Sequence, residues 1–338
     1  WGIQPAVAAI VLHAVWRVGQ RTLHRPRAAP LPWVIAAASF VAIALLGIGF
    51  PWVIAAAALL GWAGARRGWM GPQAAAHAPA PAGAAGAAAG DAASDVAARI
   101  DDHTPPPPHA RHSRGRLIAV AGVGAALWAL TLGALALVFG SSSTLVDMGH
   151  FFTQAALITF GGAYAVLPYV MQGAVEQHQW LTAAQMMDGL ALGETTPGPL
   201  IMVVAFVGYL GGWSQQVLGP HAPWLGAALA ACVATWFTFL PSFVFILAGG
   251  PLVESTRGRL GFTAPLSAIT CAVVGVIASL GLFFVMQVAR DAASRVDGPA
   301  LALMAAAAVA LFRYRSGVIP VIAACGGVGL LLAVPGAV

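Results

Sequence analysis

Apolar residues run along this chain in long stretches, separated by short pieces that gather most of the polar and charged positions. A membrane-crossing helix needs about 20 such residues, fewer where the bilayer thins, and this measure predicts about ten segments. They cover about 3–19, 32–49 and 51–65, then 117–139, 151–172, 181–212 and 223–248, and finally 263–288, 299–312 and 317–335. Only the run at 181–212 is too long for one simple span. The expected fold class is an all-α polytopic membrane protein with broken helices.

Residues 70–115 interrupt the pattern with Ala, Gly and Pro, the histidines His77, His103, His109 and His112, and four prolines from Pro105 to Pro108. So few large apolar side chains cannot bury a core, so the stretch reads as a flexible linker with a stiff polyproline piece, its histidines solvated. On either side, two regions share a plan. Residues 263–335 form a long segment followed by a hairpin of two short ones, with Pro299 and Pro320 near their starts; residues 3–65 repeat it with Pro32 and Pro51. An internal repeat is expected.

Charge orients the copies. Positively charged loops stay cytoplasmic, so Arg17, Arg21, Arg25 and Arg27 are placed inside, as are Arg66 and Arg67 and the linker end with Arg111, Arg114 and Arg116. Gly47 to Pro51 then falls outside, Ser141 to His150 outside, Glu176 to Trp180 inside, and Trp213 to Ala222 outside. Arg257, Arg259, Arg313 and Arg315 fall inside, and the outer loop with Arg290, Asp291, Arg295 and Asp297 sums to zero. The long segments of the two copies thus run in opposite directions, an inverted repeat of the secondary-transporter kind. If the copies match throughout, a counterpart of about 110 residues to 150–262 stands before Trp1, and the chain, opening without Met inside an apolar run, reads as part of something longer.

Composition agrees with the membrane reading: 59% of residues are hydrophobic and only 8% charged, against about 25% charged in soluble domains. All 16 basic residues are arginine, clustered between apolar runs, so the net charge of +5 is a topology signal rather than a nucleic-acid surface. Cys232, Cys271 and Cys325 lie far apart in apolar runs and read as small core residues. No metal-ligand spacing and no nucleophile–base constellation is present, so the sequence points to neither cofactor nor metal nor catalytic residues.

The chemistry concentrates in DGLALGETTPGP, Asp188 to Pro199. Ionisable groups inside a membrane are costly and usually functional, which singles out Asp188 and Glu194 as gating or proton-linked residues. Asp188 and Thr195 share a helix face, Glu194 points about 120° away from Asp188, and Gly189 with Gly193 lets another helix come close on a third face. Pro197, Gly198 and Pro199 end that helix and start another. The new start offers the amides of Leu200, Ile201 and Met202 to an anion, with the hydroxyls of Thr195 and Thr196 beside them and no arginine nearby. FFTQAALITFGGAYAVLP holds a second break. Gly161 and Gly162 can unwind the helix after Thr159 and free the amides of Ala163 and Tyr164, and Pro168 adds a kink. Both breaks are expected to face one cavity. His13 reads as a core or interface residue, Trp180, Trp213 and Trp224 as belt anchors, and Glu176 and His178 as loop residues open to a gating role.

FFTQAALITFGGAYAVLPYV, QWLTAAQMMDGLALGETTPGPLIM, FVGYLGGW, TWFTFLPSF and SAITCAVVGVI together resemble the long-chain chromate ion transporter (CHR) family. The resemblance covers about 117–335 closely, and residues 1–69 look like the end of the family's first domain. It implies a first-domain remnant at 1–69, a cytoplasmic linker at 70–115, and a second domain at 116–338 with 117–139 as a connecting helix. It also implies export of chromate, a tetrahedral oxyanion resembling sulfate, across a bacterial cytoplasmic membrane, with resistance as the result. Uptake or exchange of sulfate or a related oxyanion is the alternative, a non-transporting membrane subunit a further one, and a homodimer is left open.

Overall fold

The computed structural model describes residues 2–23, 30–66, 114–159, 163–196, 198–255, 263–290 and 296–333. The linker with its four histidines therefore lies outside the described residues, apart from its last two, Arg114 and Gly115, which open a helix. Among the described residues the chain is helical, with Arg290 and Val296 forming one lone antiparallel bridge. The helices are α1 (Ile3–Thr22), α2 (Pro30–Ala44), α3 (Phe50–Arg66), α4 (Arg114–Phe139), α5 (Thr144–Leu157) and α6 (Ala163–Met171), which a π-helical turn (Gln172–Gln177) continues. Then come α7 (Ala183–Thr195), a 3-10 turn (Leu200–Met202) running into α8 (Val203–Ser214), α9 (Pro223–Ser255), α10 (Thr263–Val288), α11 (Gly298–Phe312) and α12 (Val318–Ala333). Three stretches, Gly115–Phe139, Pro223–Gly249 and Ala264–Val288, are long and apolar enough to cross a membrane by themselves. The protein is an all-α polytopic membrane protein.

Two long helices, α1 and α10, pack against each other and organise the core. They run antiparallel: a Cβ on Gly281 would lie 3.2 Å from Leu12 Cδ2, and one on Gly19 would lie 3.6 Å from Val274 Cγ1. Each carries the other's hairpin. The pair α2–α3, which follows α1, lies on α10, where Gly61 meets Ala264 and Ala268 and Gly275 backs onto Ala36 and Phe40. The pair α11–α12, which follows α10, lies on α1, where Gly2 meets Cys325 and Gly329 and the His13 and Trp16 rings stand edge-on to Phe312 at 5.1 and 6.4 Å. His13 is an interface residue, as expected. Contacts this close need glycine, because helix association in lipid relies on van der Waals fit rather than on hydrophobic expulsion. Asp297 caps α11 by accepting from the Ala300 amide at 2.9 Å, with Pro299 in the first turn.

The run at 151–172 was expected to cross with a kink, and 181–212 to cross as a broken helix. Both instead double back as helical hairpins. In α7–α8, Gly193 lies 3.1 Å in Cβ terms from Leu200 Cδ1, Gly189 meets the Phe206 ring, Gly211 meets Trp180 at 3.0 Å, and Ser214 Oγ donates to the Trp180 carbonyl at 2.8 Å. In one straight helix Gly189 and Phe206 would stand about 25 Å apart. In α5–α6, Phe151 stacks on Tyr169 at 4.9 Å, and the Tyr169 hydroxyl donates to Gln154 Oε1 at 3.0 Å. The 13 residues of α7 extend about 20 Å, well short of an apolar bilayer core of about 30 Å.

This corrects the placement of Glu176 to Trp180. His178 stands 5.7 Å from Phe151, midway along α5, and the Trp180 carbonyl is bonded by Ser214, the last residue of α8, so the π turn and its loop share a face with the end of α8. On the charge argument that face is the outer one. Two hairpins that do not cross leave every later loop on its expected side, which is why the arginine pattern did not expose the error. The expected outer loop at Ser141 to His150 is also shorter, because α5 already begins at Thr144.

Candidate functional site

The hairpins are joined firmly at their bases. Phe151, Phe152, Tyr169, His178 and Trp180 form one aromatic cluster, with His178 stacked on Trp180 at 4.5 Å and Phe50 of α3 reaching Tyr169 at 6.1 Å. Trp180 is only 3% exposed and is a core residue, not the membrane-belt anchor expected of it. Trp213 and Trp224, at 47% and 60%, do face outward as expected. From this base, α8 is fixed to α9 through a glycine stripe: a Cβ on Gly208 would lie 2.7 Å from Ala234 Cβ, and one on Gly212 would lie 2.8 Å from the Gly226 carbonyl oxygen.

The tips carry the residues singled out from sequence. Thr182 caps α7 with a reciprocal box, its hydroxyl accepting from the Gln185 amide at 3.2 Å while Gln185 Oε1 accepts from the Thr182 amide at 2.9 Å. The helix ends at Thr195, and the chain turns through Gly198 and Pro199 into Leu200. Gly161, Gly162 and Pro197 lie outside the described residues. On the first hairpin α5 stops at Leu157, Thr159 follows, and α6 begins at Ala163 with Tyr164 second. Pro168 sits buried inside α6 and cannot donate to the Tyr164 carbonyl.

The two tips meet. Helix α6 packs against the 3-10 turn at Leu200, and the Tyr164 hydroxyl donates to Glu194 Oε1, tying the start of α6 to the end of α7. Two helix starts, each with a positive dipole end and first-turn amides that have no acceptor within their own helix, are thereby brought to one place beside a half-buried carboxyl. Sequence reading assigned Tyr164 through its amide and missed the phenol. Nothing in the spacing of two separate runs announces that pair.

Several details differ from expectation. The Met202 amide donates to the Pro199 carbonyl at 2.9 Å, leaving Leu200 and Ile201 as the first donors of the turn. The hydroxyls of Thr195 and Thr196 donate to Leu192 at 3.1 and 2.7 Å, and Thr159 donates to Ala155, so all three bond carbonyls of their own helices. Arginine is not remote, since Arg17 of α1 lies within electrostatic reach of the Tyr164 hydroxyl. Asp188 stays apart from Glu194, exposed on α7 and bonded by Gln4 of α1. Cys271 and Cys325 are buried, but Cys232 is exposed in an apolar groove on α9 with Thr235, Trp236 and Phe239, where the Thr235 hydroxyl donates to the Ala231 carbonyl and the Trp236 indole to Thr131.

Residues 146–330 match the family model described as "Chromate transporter". The chain is 33% identical over 219 residues to a chromate transport protein of Pseudomonas aeruginosa, covering 64% of this chain and 49% of that one. It is 28% identical over 172 residues to a chromate transport protein of Cupriavidus metallidurans, 51% of this chain and 38% of that one. An uncharacterized transporter of Methanocaldococcus jannaschii is 27% identical over 146 residues, 43% of this chain and 33% of that one. The chain thus spans half or less of the length of these relatives. No solved structure matches. With the family match covering more than half of its residues, the chain belongs to the chromate transporter family.

Proposed function

We propose that the protein takes part in export of chromate from the cytoplasm, holding the dianion between the two helix starts at Ala163–Tyr164 and Leu200–Ile201. The observation that carries this reading is the meeting of the hairpin tips, with Tyr164 bonded to Glu194 across the gap. Amides at helix starts favour a small multivalent anion, and in lipid such irregular backbone is tolerated where it lines a cavity. Thr159, Thr195, Thr196 and Gly198 border the same place, and Arg17 adds a positive charge from α1. The antiparallel α1 and α10, each carrying the other's hairpin, support an inverted repeat with 1–69 as the end of a first domain, 70–115 as linker and 116–338 as a second domain.

Energetics favour the outward direction. A dianion leaving a negative cytoplasm gains roughly 4.6 kcal/mol per 100 mV. Glu194 opposes occupancy while ionised. At about 5 Å and an effective dielectric of 20, a dianion and a carboxylate repel by about 7 kcal/mol, so Glu194 takes up a proton or swings away as the anion binds. Asp188, held by Gln4 on the flank of α7, links this movement to α1.

The test is chromate uptake into everted cytoplasmic-membrane vesicles containing the full chain, with sulfate as competitor. Uptake that saturates with chromate supports the reading, and none, or uptake only into right-side-out vesicles, removes it. Glu194→Gln is expected to change both the rate and its pH dependence.

A further inference from the structure

We infer that the Tyr164 hydroxyl is itself a ligand of the transported oxyanion, held by Glu194 while the site is empty and handed to the anion as it arrives. The inference rests on the proposed function and adds a side-chain donor and an exchange of partners to it. Three observations carry it. First, the threonine hydroxyls at the tips bond carbonyls within their own helices, so turning one toward a ligand gives up a hydrogen bond of its own helix end. The partner of Tyr164 is a side chain on the other hairpin, and exchanging it unwinds nothing.

Second, the phenol bridges the gap between the two helix starts. Tyr164 is the second residue of α6, which packs against the turn beginning at Leu200, and Glu194 stands in the last turn before the break. An anion reaching the amides of both starts must come beside this hydroxyl. Third, a phenol has one proton to donate, and a carboxylate and a chromate oxygen both seek it. The two acceptors are of like charge, so the anion's arrival and Glu194's departure are one event. The charged groups on the neighbouring faces are Arg17 of α1, within electrostatic reach of the phenol, and Asp188 of α7, held by Gln4 apart from Glu194. Arg17 is the cation among them and favours the occupied state.

The experiment measures chromate affinity of the full chain in lipid nanodiscs for the unaltered protein, Tyr164→Phe, Glu194→Gln and the double variant, with thermal unfolding alongside. Tyr164→Phe is expected to weaken chromate binding about 3- to 5-fold, because the lost donor was shared with Glu194. In the Glu194→Gln background the competitor is weaker, so the same change is expected to cost about 10-fold or more. Glu194→Gln alone is expected to bind chromate more tightly than the unaltered protein. If Tyr164→Phe lowers the melting temperature but leaves chromate affinity unchanged in both backgrounds, Tyr164 is a packing residue and the inference is overturned. Should Tyr164→Phe not fold, Glu194→Gln decides alone, and equal or weaker binding by it overturns the exchange. Absence of chromate binding by the unaltered protein removes the proposed function with it, which separates the two failures.

Discussion

The bases and the tips of the two inner hairpins are built from opposite materials. At the bases, five aromatic rings interlock and glycines let α8 sit against α9 with almost no side chain between them. At the tips, α5 stops at Leu157 and α7 at Thr195, the threonines turn back on their own carbonyls, and one side-chain hydrogen bond joins the hairpins among the described residues. The difference separates anchoring from binding. Packing at the base is shared among many contacts at once, whereas a single bond at the tip can be exchanged for another at little cost.

Substitutions at the base should therefore damage the fold and spare the anion site. Trp180→Ala empties a buried indole site between Phe151 and Phe152 and is expected to cost about 3–5 kcal/mol of stability, read by thermal unfolding, with chromate affinity of the surviving folded protein unchanged. Gly212→Leu forces a side chain into the Gly226 carbonyl of α9 and is expected to cost about 1–3 kcal/mol with the same indifference to chromate. A large loss of affinity with unaltered stability in either variant would break the division between base and tip.

Changes at the tip should do the reverse. Glu194→Gln is expected to flatten the pH dependence of chromate flux while moving the unfolding temperature little, and an unchanged profile would remove Glu194 from the mechanism. Thr196→Val is the smallest effect expected. Its hydroxyl serves Leu192 in its own helix, so both stability and affinity should change by less than about 1 kcal/mol, and a collapse of binding would mean that the hydroxyl turns to the anion.

The comparison also explains what could be read from sequence. Helix positions followed from hydropathy and from Pro32, Pro51, Pro299 and Pro320, because proline and apolar length act locally. The breaks were legible for the same reason. Whether a chain continues or folds back after a break is decided by what the second piece packs on, and here that is Phe206 on Gly189 and Ser214 on Trp180, contacts across more than a dozen residues. One local signal did point to the fold-back. The Thr182–Gln185 box fixes the start of α7, and the stretch from there to Pro197 is too short to cross a bilayer. Trp180 misled because an indole beside a loop looks alike whether it faces lipid or a neighbouring ring. The Tyr164–Glu194 pair had no signal, since it joins two hairpins whose docking is set by the bases.

The fold-back has its own check. Gln177→Cys in otherwise cysteine-free protein should react with an impermeant maleimide added outside intact cells, because the π turn that it ends shares a face with the end of α8. Labelling only after the membrane is opened would restore the cytoplasmic placement. The claim that an oxyanion sits where the tips meet is tested most directly by diffraction from crystals of the full chain with chromate, recorded at the chromium absorption edge. An anomalous peak is expected within hydrogen-bonding reach of the Tyr164 hydroxyl and the Leu200 amide, with Glu194 turned aside. A bound chromium peak elsewhere in the protein, with Tyr164 still on Glu194, would contradict it.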